Sequence, residues 1–148
     1  MNPLISSLTL EEAAETLRAS GLRAQLAEQD GRPMLQSAVQ GLGFILMPGN
    51  RAPDQADRYI DFTFSCLIHV EGQVSPAQVG RWNESKRFAR LYTTQQTLVL
   101  AMDVFIGAGD APLCLRGYCE LWDRVLHEFI TYLRTLPVHA PAAVPAVA

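Results

Sequence analysis

Between Tyr59 and Val70 the side chains alternate with a period of two. Ile60, Phe62, Phe64, Cys66, Ile68 and Val70 fall on one side, and Tyr59, Asp61, Thr63, Ser65, Leu67 and His69 on the other. This period is that of an extended strand with one core-facing side. Such a strand must be paired along its edges and covered on its apolar face, which commits the chain to a layered sheet.

The flanking segments supply the other layer. Thr9 with Glu12 three residues later is a capping box, Leu10, Ala13, Ala14 and Leu17 share a face, and Gly21 is a stop, so a helix is predicted over 10–20. Leu22, Ala24 and Leu26 alternate with Arg23 and Gln25, and Gln29-Asp30-Gly31-Arg32 has turn chemistry before Leu35 and Val39. Gly41 interrupts, and Leu42, Phe44 and Leu46 resume the alternation until Pro48-Gly49-Asn50. Ser75-Pro76 opens a helix expected to reach Phe88. Strands are expected near 89–95 and 97–106 with Gln95-Gln96 as their turn, and Asp110 and Pro112 open a long helix to about Leu136. The order is taken as α-β-β-β-α-β-β-α, an α+β fold with a five-stranded antiparallel sheet packed against helices. Residues 1–136 form one domain, and Pro137 to Ala148, with three prolines, is expected to be a flexible tail.

A chain of 148 residues suits a single core. With 49% hydrophobic residues, 18% charged residues and a formal net charge of -3, it is globular in composition and lacks the positive excess of a nucleic-acid binder. Cys66, Cys114 and Cys119 form no CxxC pair, so a disulfide framework is excluded. The N-terminus lacks a basic-then-apolar export pattern. The longest uncharged run, Pro33 to Asn50, is broken by Gln36, Gln40, three glycines and Pro48. The expectation is a cytoplasmic protein engaging neither membrane nor nucleic acid.

Candidate chemistry is sparse. Cys66 and His69 leave opposite faces of one strand and cannot form a local nucleophile–base pair. Cys114 and Cys119 are badly spaced on a helix for a shared metal, and His127 and His139 stand apart from both. Gly107-Ala108-Gly109 invites a phosphate-loop reading, but Pro112 stands where the fingerprint needs its third glycine and no Lys-Ser or Lys-Thr follows. A loop turning into the last helix is the simpler account. Arg81, Lys86, Arg87 and Arg90 surround Trp82, Phe88 and Tyr92, a mixture that suits helix-end structure, a partner site or an anion site. On the last helix apolar residues fill about half of the circumference, wider than one core contact needs. The outward sheet face adds Ile45, Met47, Leu67, Val99 and Phe105, so either a dimer or an intramolecular cover is expected.

The run from Val79 to Tyr92, a hairpin, and the run from Leu98 to Gly107 resemble the YbjN family of bacterial proteins. The matching positions are Trp82-Asn83, Arg87-Phe88, Tyr92, Asp103 and the glycines before the final helix, and the resemblance spans roughly Gly21 to Leu133. Gln95-Gln96 replaces the family's usual acidic-Gly turn, and Gly80 stands where many members carry Asn. Family members carry the label of sensory transduction regulators, and the resemblance implies a fold similar to type III secretion chaperones, small dimeric proteins that hold extended client segments. Trp82, Asn83, Arg87, Phe88, Tyr92 and Asp103 are therefore the candidate interaction residues. The resemblance carries no catalytic residue, cofactor or metal. The expected function is a non-enzymatic regulatory or chaperone-like interaction domain acting as a homodimer on a protein client. The alternative is a sensor binding an anionic ligand near Trp82.

Overall fold

The computed structural model describes residues 6–136, so the expected tail over 137–148 lies outside the described residues. Helix α1 (Leu10–Ala19) begins at Thr9, whose hydroxyl accepts the Glu12 N–H at 3.0 Å while the Glu12 carboxylate accepts the Thr9 N–H at 2.9 Å. It ends on Gly21 at φ 87, with Gly21 N–H donating to Arg18 and Leu22 N–H to Leu17, both at 3.0 Å. That pair of hydrogen bonds closes the last turn, and the left-handed residue it requires is cheapest as glycine.

Six strands follow, not five: β1 (Gln25–Gln29), β2 (Arg32–Val39), β3 (Leu42–Pro48), β4 (Asp61–His69), β5 (Arg90–Thr94) and β6 (Thr97–Phe105). The correction lies before the second helix, where the alternating runs at 22–26, 35–39, 42–47 and 59–70 are four strands and not the three counted in the expected order. Asp30-Gly31 and Gln40-Gly41 each make a two-residue turn with both residues at positive φ, a geometry whose twist matches the flanking strands. Three short strands therefore precede β4, and four precede helix α2 (Pro76–Ser85). The sheet order is β1-β2-β3-β4-β6-β5, antiparallel throughout, so β5 and β1 are its edges. Tyr59 stands outside β4 and instead bridges Leu8 and Arg51.

Helix α3 (Ala111–Leu133) is capped by Asp110, whose carboxylate accepts the Leu113 N–H at 3.1 Å. The Gly107-Ala108-Gly109 segment is the loop into this helix. A Cβ at Gly107 would lie 2.7 Å from the Phe105 ring, which accounts for glycine there without a ligand.

All three helices contribute to one core. Phe44, Phe64, Cys66, Leu100 and Met102 of the sheet meet Leu17 of α1, Trp82 of α2, and Trp122 and Phe129 of α3. The Trp122 ring lies 5.3 Å from Phe64 and 5.8 Å from Phe44. The wide apolar surface of α3 is used within the chain: α1 packs on it, the sheet lies beneath, and Trp82 meets Phe129 and Tyr132 edge-on at 5.6 and 5.4 Å. The second surface expected of α3 is thus taken up by its two helical neighbours. On the other sheet face Ile45 and Val99 are buried, Met47 and Leu67 half-buried, and Phe105 exposed.

Candidate interaction site

The six candidate residues divide by what they touch. Trp82 and Asn83 leave α2 toward the edge strand β5. The buried indole of Trp82 donates its N–H to the Ala89 carbonyl at 3.1 Å. Asn83 makes two bonds with Leu91: Nδ2 donates to the carbonyl at 2.9 Å and Oδ1 accepts the N–H at 2.7 Å. In an antiparallel pair alternate residues turn their backbone groups toward the neighbour and away from it. Leu91 turns its groups away from β6, so these two side chains of α2 take the place of a further strand.

Helix α2 stops at Ser85, short of the Phe88 expected, because the chain must reverse into β5. Lys86 is extended, and its N–H still donates to Trp82 at 2.8 Å. Ala89 N–H then donates to the Arg87 carbonyl at 2.9 Å across Phe88, which sits at φ 77. This is a γ-turn of left-handed sense, rare and strained for a residue with a side chain. The Phe88 ring is 66% exposed, and Tyr92 on the outward face of β5 is 42% exposed. Among the described residues at positive φ, Phe88 is the one aromatic, and its ring is left in water.

The cations near these residues have separate duties. Lys86 pairs with Glu128 of α3 at 2.9 Å and lies 5.8 Å from the Trp82 ring centre. Asp103 pairs with Arg90 at 2.7 Å, not with Arg87, and accepts the Thr63 hydroxyl at 2.6 Å. The Thr63 hydroxyl does most to hold its carboxyl below the ordinary value; burial opposes it, and Arg90 lowers it further. Among the described residues Arg81 and Arg87 enter no ion pair. Tyr132, whose hydroxyl donates to the Gln78 carbonyl, is raised by burial, with Arg81 opposing.

Arg87, Phe88 and Tyr92 are exposed, the first two in the turn into β5 and Tyr92 on its outward face, while Trp82 and Asn83 serve as anchors of that strand. Asp103 stands on the outward sheet face as the partner of Arg90. The sequence pattern passed over Thr63 and Arg90 as partners of Asp103. The period of β4 could have shown that Thr63 shares that carboxylate's face. Cys66 and His69 leave opposite faces of β4 as expected, the thiol buried and the imidazole exposed. Among the described residues no group of three or more His, Cys, Asp or Glu could hold a metal, and no helix is long and apolar enough to cross a membrane.

An antiparallel sheet with helices on one face, two of its motif residues spent on anchoring an edge strand, defines an α+β domain. The chain belongs to the YbjN family, whose model matches residues 9–135 and is described as "Putative bacterial sensory transduction regulator". No curated protein and no solved structure matches the sequence.

Proposed function

We infer that this is a non-enzymatic regulatory domain of the bacterial cytoplasm that works by protein–protein contact, as a homodimer with a client segment. The observation that carries the reading is Phe88, exposed at a positive φ in the turn that also holds Arg87 and leads to the exposed Tyr92. Strain of this kind, of order 1–3 kcal/mol, persists where it serves a site. Aromatic and arginine side chains are the residue types that dominate binding energy at interfaces. The alternative, an anionic ligand near Trp82, has less room: the indole is buried and its N–H is committed to Ala89. Such a ligand would depend on Arg81 and Arg87 alone.

The test is affinity recovery from host lysate with wild-type protein and a Phe88→Gly variant, alongside sedimentation of both. A stoichiometric partner retained by wild type and lost by the variant supports the reading. Equal recovery by both, or a monomer with no partner, removes it.

A further inference from the structure

The two edges of the sheet are treated differently. At β5 both outward backbone groups of Leu91 are taken by Asn83 and the carbonyl of Ala89 just before the strand by Trp82, which leaves Thr93 alone facing outward. At β1 the turn Asp30-Gly31 makes Gln29 and Arg32 the hydrogen-bonded closing pair, so alternation turns the N–H and C=O of Leu26 and Glu28 outward. Arg18 confirms the phase by donating to the outward Ala24 carbonyl at 2.7 Å. Beyond Ala24, no hydrogen bond from the described residues meets this edge. It is five residues long with Leu26 49% exposed, an open template of the kind proteins normally blunt.

We propose that β1 is a strand-addition site for an extended segment carrying an apolar residue with Lys or Arg two residues to either side. This rests on the interaction-domain reading and adds to it a second site, at the sheet edge opposite the one that carries Phe88. The side chain opposite Leu26 would lie on the α1 side of the sheet. There two shallow grooves of about 490 and 360 Å³ meet at Leu26. Their charged lining is Glu11, Glu12, Glu15 and Asp57 against Arg18 alone. Glu12 and Glu15 are paired with Arg58 and Arg18, while Glu11 and Asp57 enter no ion pair among the described residues. Glu28 shares that face. A second copy would bring the same carboxylates against one another, whereas a basic segment neutralises them. Backbone pairing supplies affinity, and the alternate side chains supply the choice of partner.

The probe is the peptide Thr-Lys-Thr-Val-Thr-Lys-Thr, compared with the same peptide carrying Glu for both Lys. Binding is read by fluorescence anisotropy, and backbone protection by amide exchange on the full chain. The Lys peptide is expected to bind and to slow exchange at Leu26 and Glu28, the Glu peptide to bind at least about tenfold more weakly. Glu28→Pro removes an outward N–H that makes no bond to β2, which an edge strand tolerates, and is expected to weaken the Lys peptide by about tenfold. Binding unchanged in Glu28→Pro, protection elsewhere in the chain, or no binding of either peptide overturns the proposal. So does a wild-type dimer that Glu28→Pro dissociates, which would assign the edge to a second copy. If Glu28→Pro lowers stability, the wild-type exchange measurement decides by itself. Phe88→Gly should leave the peptide affinity unchanged, so failure at β1 and failure at Phe88 are separate results.

Discussion

The Asn83 side chain is bonded to Leu91 in both directions, donating to its carbonyl at 2.9 Å and accepting its N–H at 2.7 Å. One amide thus does for β5 what a neighbouring strand would do, and it fixes α2 to the sheet edge without main-chain pairing. Asn83→Ala would leave both groups of a buried residue unpaired, at a cost of about 1–3 kcal/mol. Chemical denaturation should show the loss, and the Leu91 amide should exchange faster in the variant. Asn83→Asp keeps the acceptor and loses the donor, so it should fall between the two.

Phe88 should behave in the opposite sense. Glycine adopts φ 77 freely, so Phe88→Gly relieves strain of order 1–3 kcal/mol, offset in part by the freer unfolded chain. The expected net effect is a variant more stable by about 1 kcal/mol that has lost its partner. A thermal or denaturant midpoint that falls instead would show that the ring contributes to packing despite its exposure.

The Asp103 ion pair should appear in the acid limb of stability. Its folded carboxyl lies below the ordinary 3.8, because the Thr63 hydroxyl and then Arg90 favour the charged form. Its contribution is therefore complete above that ordinary value and is lost as the pH falls through the lower folded one. Asp103→Asn should flatten the stability profile across that window and leave the slope above it unchanged. The group is exposed and screened, so the difference should stay below about 1 kcal/mol and shrink with added salt.

Thiol reactivity should follow burial. Burial pushes Cys66 up to about 12 and Cys119 to about 11, while Cys114 is half-buried with its sulfur 3.6 Å from the Phe105 carbonyl. All three are free. Iodoacetamide should label Cys114 first in the native protein, and Cys66 only as fast as the sheet opens. Mass spectrometry of timed samples reads the order, and early labelling at Cys66 would contradict the buried face assigned to β4.

The parts of this fold that the sequence declares are those with local causes. The reciprocal Thr9–Glu12 box, Ser75-Pro76 and the Phe62–Ile68 alternation each stand where their own chemistry dictates. The strand cues are local too: alternation at 22–26, 35–39, 42–47 and 59–70 marks four strands before Ser75-Pro76, so the expected total of five counts one too few of runs that the sequence shows. The end of α2, by contrast, was hidden. Nothing in Lys86-Arg87-Phe88 forbids helix, and the stop is imposed by Trp82 and Asn83 reaching Ala89 and Leu91 across the turn. Likewise, motif residues near one another in sequence took unlike roles, since only the fold decides which of two neighbouring arginines, 87 or 90, meets Asp103.

Gly49 offers a test of how tightly the β3–β4 corner is built. A Cβ there would lie 1.9 Å from Asp61 Oδ1. That oxygen accepts the Asn50 N–H at 2.7 Å, Oδ2 accepts Asn50 Nδ2 at 2.7 Å, and Gly49 N–H donates to the Asp61 carbonyl at 3.0 Å. The carboxylate therefore cannot swing aside without giving up bonds to Asn50. Gly49→Ala should destabilise by about 1–3 kcal/mol through this overpacking. The cause is separable: in an Asp61→Ala background the obstructing oxygen is absent, and the same Gly49→Ala change should cost far less. Equal costs in both backgrounds would place the strain in the Gly49 backbone and not in the Asp61 side chain.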